Sequence, residues 1–174
     1  MGVLLNWCSF ALFGRVFAGP VVKTSLGSIE GRSLAPLADV DVFFGIRYGV
    51  SSRFQRAEFA PAWAPHTLNA TEFGPICFQG DGGLRPNSSW QVESEDCLLL
   101  NLWRPSAAHK SSALPVMVWI HGGGFTQGSG AGGGATRTGG WTDGTALAKN
   151  GVLVVTINYR SLPSSPPRPL HRPL

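Results

Sequence analysis

PVMVWIHGGGF, residues 115–125, is the stretch on which the reading of this chain turns. Val116–Ile120 is an unbroken apolar run with no polar face, the pattern of a strand buried on both sides within a parallel sheet. It breaks abruptly into His121 and three glycines, Gly122, Gly123 and Gly124. Glycines at a strand end raise the backbone entropy lost on folding, so something must need their freedom. One such need is close approach of backbone N–H groups to a negatively charged oxygen. A glycine-rich turn without chemistry would look the same, and the neighbouring motifs decide between the two.

Downstream, residues 126–140 are low-complexity glycine, threonine and serine. Thr142-Asp143 is expected to cap a short helix running through Lys149, stopped by Asn150-Gly151. Residues 152–157 form a second continuous apolar run. Strand, loop, helix and strand make a βαβ crossover, which predicts a right-handed connection and parallel pairing. Upstream, residues 98–103 and 42–48 read as strands, residues 106–113 as a polar loop, and residues 21–30 as a small hairpin around Gly27-Ser28.

Four motifs carry a resemblance. SEDCLLLN at residues 94–101 is the most specific; INYR at 157–160 and HGGG at 121–124 support it. FFGIRY at 43–48, leading to Arg53-Phe54 and then Trp63, is the fourth. Together they resemble the type-B carboxylesterase and cholinesterase-like family of α/β-hydrolases over residues 21–160. Arg47 departs from the family's usual proline, and the short Val50-Ser51-Ser52 replaces a proline-containing segment, so that loop is expected to be remodelled. The resemblance implies an α/β class chain with an incomplete α/β-hydrolase fold: an N-terminal hairpin, the first strands of a central sheet and one βαβ crossover. It implies ester hydrolysis by a serine nucleophile, with a carboxylic ester as substrate and no cofactor. Gly123 and Gly124 take the place of oxyanion-hole donors, with His121 and Gly122 orienting the loop. Cys77 and Cys97 match the family's disulfide, whose closure of a loop of about 20 residues would stabilise by roughly 3 kcal/mol. Arg53 and Glu95 match a buried structural salt bridge, with a cost of about 3–5 kcal/mol expected for removing one partner.

The rest of the hydrolytic machinery is not in this sequence. Acyl transfer of this kind needs an activated serine, a histidine backed by a carboxylate, and oxyanion donors. No serine satisfies G-x-S-x-G; Gly31-Arg32-Ser33-Leu34-Ala35 comes nearest, but ends in alanine and precedes the central strands. His66 and His109 fall in loops and His171 in the tail, while His121 precedes any elbow in chain order. Glu95 and Asp96 are adjacent on an extended segment, point to opposite faces and cannot share a proton. Arg160 is the last residue that fits the family. Residues 161–174, SLPSSPPRPLHRPL, read as an unstructured proline-rich tail, with Pro163 and Pro166 at PxxP spacing. The expectation is therefore a member cut off before its nucleophile elbow and inactive alone. The alternatives are a non-catalytic binding or adhesion protein of cholinesterase-like fold and a non-functional short isoform. Gly128 to Gly133 matches G-x-G-x-x-G, but no acid stands about 20 residues on, so a dinucleotide site is not indicated. No P-loop occurs, and no cysteine–histidine spacing suggests a metal.

Composition sets the compartment. Hydrophobic residues make up 43% of 174, enough for a core, and the net charge of +4 has no cluster behind it, so a nucleic-acid partner is not indicated. Residues 1–18 read as a secretory signal: an apolar run at 3–13, too short to span a bilayer, followed by Val16-Phe17-Ala18. This leader contains Cys8 but no lysine or arginine before the apolar run. Secretion agrees with two sequons, at Asn69 and Asn87. No transmembrane segment is expected, and the oligomeric state is left open. Trp90, Trp103, Trp119 and Trp141 fit either a core or a gorge lining.

Overall fold

The computed structural model describes residues 19–79, 92–131 and 140–160. The leader, Asn87, Trp90, the second half of the G-x-G-x-x-G match, His171 and the proline-rich tail lie outside the described residues. In the expected hairpin, β1 (Val21–Thr24) pairs antiparallel with β2 (Gly27–Glu30). The turn falls at Ser25-Leu26 rather than at Gly27-Ser28, because Thr24 Oγ1 accepts the N–H of Leu26 and donates to the Gly27 carbonyl. Gly27 serves a different purpose: a Cβ there would lie 2.4 Å from the Trp63 ring. Trp63 in turn donates from Nε1 to the Ser28 carbonyl at 2.8 Å.

Next come β3 (Arg32–Ser33), β4 (Val40–Arg47) and the short pair β5 (Gly49–Val50) and β6 (Glu58–Phe59). β7 (Thr67–Asn69) joins β2 in parallel, and β8 (Ile76–Cys77) pairs with β9 (Glu93–Ser94). The main sheet is completed by β10 (Leu99–Pro105), β11 (Val116–Ile120) and β12 (Leu153–Ile157), in the order β11-β12-β10-β4-β3. β11 and β12 are parallel, and α1 (Thr145–Lys149) lies between them in the chain, as the βαβ reading requires. β10 runs antiparallel to both β12 and β4, so the sheet is mixed.

The helix begins later than expected. Gly144 is its N-cap residue, and Asp143 caps from outside by accepting the Thr145 N–H at 2.8 Å. Gly144 is there for packing, since a Cβ would come within 2.9 Å of both Trp103 and Val154. This close approach seats α1 on the sheet and buries Ala148 beside Val42, Phe44, Trp103 and Val154. Trp103 is thus a core residue, whereas Trp119 and Trp141 are exposed. The opposite face holds a second cluster of Ile29, Phe43, Ile46 and Ala70 under the hairpin.

Strict alternation along β4 would not put Phe43 and Ile46 on one face, because they are three residues apart. The register shifts where Asn101 stands opposite Phe44-Gly45, and Gly45 takes φ +67°. This is a bulge with a left-handed glycine. Its freed amide is not wasted: Gly45 N–H donates to Asn101 Oδ1 at 3.0 Å.

The apolar run Val116–Ile120 is a strand, but within the described residues it is not buried. Among the described residues β11 is the outermost strand, paired only with β12, and all five of its residues are exposed, from 41% at Trp119 to 63% at Ile120. An uncharged apolar edge of this kind templates pairing with other chains. The expressed chain should therefore self-associate or be retained during secretion. Val118→Lys should raise the monomer fraction severalfold in sedimentation velocity; a monodisperse parent chain would contradict this.

Candidate active-site loop

The glycine segment follows directly from Ile120 at the C-terminal end of β11. His121 is buried, and Gly122 through Thr126 are exposed. Gly123 has φ +113° and Gly124 +60°, values that L side chains rarely adopt. The Gly123 carbonyl accepts the N–H groups of Thr126 and Gln127 at 3.0 and 3.2 Å and the Thr126 hydroxyl at 3.0 Å, closing the loop into a tight turn. A Cβ on Gly123 would lie 2.0 Å from the Gln127 carbonyl oxygen, so the turn excludes any side chain there. Gly122 and Gly124 face open space. The amides of Gly123 and Gly124 have no acceptor among the described residues. The result is two consecutive exposed N–H groups on a turn held from behind.

What holds it is a polar network, part-buried near the turn and buried at Gly130. His121 donates from Nδ1 to the Gly122 carbonyl at 2.8 Å and stacks on Tyr159, ring centroids 4.0 Å apart. Tyr159 returns a hydrogen bond from its hydroxyl to the His121 carbonyl at 2.7 Å. Gln79 clamps the loop with both ends of its amide, donating to the Gly128 carbonyl at 2.9 Å and accepting the Gly128 N–H at 3.0 Å. Further on, the Gly130 N–H donates to Asn158 Oδ1 at 2.7 Å. The Gly130 carbonyl accepts from Thr156 Oγ1 at 2.7 Å, Asn101 Nδ2 at 3.3 Å and Thr142 Oγ1 at 3.2 Å. Asn158 also donates from Nδ2 to the Pro75 carbonyl at 3.1 Å, and its own carbonyl accepts the Tyr48 hydroxyl at 2.7 Å. A Cβ on Gly130 would strike the Ile157 backbone at 2.8 Å, so glycine is needed for this approach.

The half of the G-x-G-x-x-G match within the described residues therefore serves as an anchor. Gln79, Asn101, Asn158 and Tyr159 are the positioning residues that reasoning from the sequence did not single out for this loop. Asn101 and Asn158 were visible only as letters of SEDCLLLN and INYR.

The other expected residues fall as follows. Cys77 and Cys97 are joined in a buried disulfide. Arg53 and Glu95 are paired, Nε to Oε1 at 3.2 Å, but the expectation of a buried bridge is corrected: both side chains are about one-third exposed. The loops that carry them open onto a cleft of about 550 Å³, lined in part by Arg47, Glu95, Asp96 and Arg160, and solvent reaches the pair there. Such a pair is worth about 1 kcal/mol or less. Arg47, the departure from the family pattern, pairs with Asp96 at 2.5 Å. Asn69 is exposed, its Oδ1 accepting from the N–H and hydroxyl of Thr71. Ser33 lies on edge strand β3 and accepts the Ala35 N–H, while His66 and His109 are exposed. No histidine bonds to Ser33 among the described residues. Among them, too, no group of three or more His, Cys, Asp or Glu is placed to hold a metal. No helix of the described residues is long and apolar enough to cross a membrane.

A sequence model of the carboxylesterase family matches residues 18–162. The chain belongs to that family. It is 40% identical over 145 residues to fumonisin B1 esterase of Sphingopyxis macrogoltabida, covering 81% of this chain and 24% of that protein. It is 39% identical over 156 residues to acetylcholinesterase-1 of Trittame loki, covering 82% of this chain and 26% of the relative. Among solved structures, a thermophilic pNB esterase superposes with a TM-score of 0.68 at 36% identity, covering 83% of this chain and 29% of that one. A carboxylesterase of Geobacillus stearothermophilus superposes at 0.66 and 39% identity, covering 82% and 26%. The chain thus spans about a quarter of the length of the curated relatives it matches, 24% and 26% for these two. Its sheet is a part of the α/β-hydrolase fold that these esterases share with it.

Two expectations follow from the network. Asn158→Ala leaves the buried Gly130 amide without an acceptor and should cost about 1–3 kcal/mol. Amide exchange at Gly130 and Gly128 should quicken with it. Burial pushes the Tyr48 phenol above its ordinary value of 10.0. The folded chain therefore keeps this proton at pH values where the unfolded chain loses it. The contribution is intact below pH 10.0 and declines as pH rises through the folded value. Tyr48→Phe should flatten that alkaline loss in urea melts between pH 9 and 11.

Proposed function

We propose that this chain supplies the oxyanion-stabilising front of a carboxylic ester hydrolase, with the amides of Gly123 and Gly124 as the donors. The observation that carries this reading is the pair of N–H groups on exposed glycines, without an acceptor among the described residues, on a turn held by part-buried hydrogen bonds and anchored by buried ones at Gly130. In acyl transfer the carbonyl oxygen gains negative charge as the tetrahedral intermediate forms. Donors already pointing at that charge stabilise it without reorganising. His121 serves as a positioning residue, since its Nδ1 proton is committed to the Gly122 carbonyl.

Hydrolysis also needs a nucleophile and a base, and this polypeptide contains no G-x-S-x-G. We expect no ester turnover from it alone. The membership of the family, the Cys77–Cys97 bond and the exposed Asn69 sequon support a carboxylic ester as the substrate class and a secreted, N-glycosylated chain.

Two measurements test the reading. p-Nitrophenyl butyrate should not be turned over by the isolated chain, and a serine-directed fluorophosphonate should leave its mass unchanged. Phosphonate-sensitive hydrolysis would overturn the proposed inactivity. For the donors, residues 115–131 can replace the matching segment of the pNB esterase. In that chimera Gly123→Ala should lower kcat by about 10²–10³ with little change in KM. Gly122→Ala, which meets nothing within 4 Å, should be nearly silent. Equal effects of the two substitutions would count against the assignment.

A further inference from the structure

A groove of about 590 Å³ opens on the hairpin side of the sheet, away from the glycine loop. Its floor is aliphatic and aromatic, made by Ile29, Phe43, Ile46 and Leu102 from the second core cluster and its neighbours. Leu114 and Leu153 close one end. These two residues lie at the N-terminal ends of β11 and β12, whereas Gly123 follows the C-terminal end of β11. A five-residue strand separates the two places by about 16 Å.

The groove's charge is one-sided. Lys23 on β1 lines it from the hairpin, and Lys110 lines it from the loop before β11. No aspartate or glutamate is among the described residues that line it. Arg104 also lines it, but its guanidinium is already bonded to Asp41 at 3.0 and 3.3 Å and lies over the Phe43 ring. Among the described residues neither Lys23 nor Lys110 has a carboxylate within ion-pair distance. The volume is that of an ordinary small-molecule site, about 300–1,000 Å³.

An apolar floor between basic walls selects a molecule with a hydrocarbon body and one anionic end. We propose that this groove binds a single-chain aliphatic carboxylate, a medium-chain fatty acid anion, with Lys23 and Lys110 meeting the head group and the floor taking the chain. The assignment does not depend on the hydrolase reading, because no residue of the glycine loop lines the groove.

The test uses the full chain captured on resin through a C-terminal tag, which reads binding whatever its state of association. Labelled dodecanoate, kept below its micellar concentration, should be retained at least tenfold more than dodecanol or dodecyltrimethylammonium. From octanoate to dodecanoate the affinity should rise about two- to fourfold per methylene, the upper figure corresponding to full burial of each. The exposed pair K23E/K110E should lose most dodecanoate retention, keep that of dodecanol and retain the parent's far-ultraviolet circular dichroism. Equal retention of acid and alcohol would overturn the proposal. So would affinity independent of chain length, or a charge-reversed chain that binds as the parent does. Hydrolytic activity enters none of these readouts, so this proposal and the one above can fail separately.

Discussion

The backbone of Gly130 is the point on which this structure depends. Its N–H and C=O are buried, and both are satisfied by side chains from separate segments: Asn158 on one side, Asn101, Thr156 and Thr142 on the other. An unpaired buried amide or carbonyl would cost about 1–3 kcal/mol, so the loop can lie against the sheet only where these partners meet it. The partners are placed by the sheet itself. Asn101 stands opposite Thr156 in the β10–β12 register, and their side chains bond at 3.1 Å. The same Asn101 caps the bulge amide of Gly45. One asparagine therefore ties the centre of the sheet to the loop that projects from its edge.

This arrangement separates the rigid from the exposed. The loop's interior carbonyl and amide groups are fixed, while Gly123 and Gly124 are exposed and their amides have no acceptor among the described residues. Phe125, at φ 58°, adds an exposed non-glycine residue in the left-handed region. Such a conformation costs of order 1–3 kcal/mol and persists only where its surroundings determine it. Here the turn around Gly123 and the clamp on Gly128 bracket it from both sides.

Much of this was legible in the sequence, and the reasons for the rest are specific. The two apolar runs gave β11 and β12 because five consecutive β-branched or large apolar residues between turn residues leave little else to form. The SEDCLLLN and INYR motifs led to the family, but their asparagines did not disclose a role. That role lies in contacts 28 to 83 residues apart in the chain, which no local pattern encodes. Gly27-Ser28 carries a turn signal two residues past the actual turn, because the missing side chain of Gly27 is needed beneath Trp63. Arg53 and Glu95 lie together as a partly exposed pair rather than a buried one, and that exposure depends on loops whose packing has no signature in composition. Gln79 gave no signal at all.

The disulfide gains a meaning from that last residue. Gln79 is two positions from Cys77, and Cys77 is covalently held to Cys97, which lies two residues before β10. The crosslink keeps the Gln79 amide at a high effective concentration beside Gly128, because the tether leaves it little space to explore. In a reducing compartment the clamp would have to find the loop from a longer and freer segment. The oxidation state of two sulfurs thus reaches the geometry of a turn to which neither of them belongs.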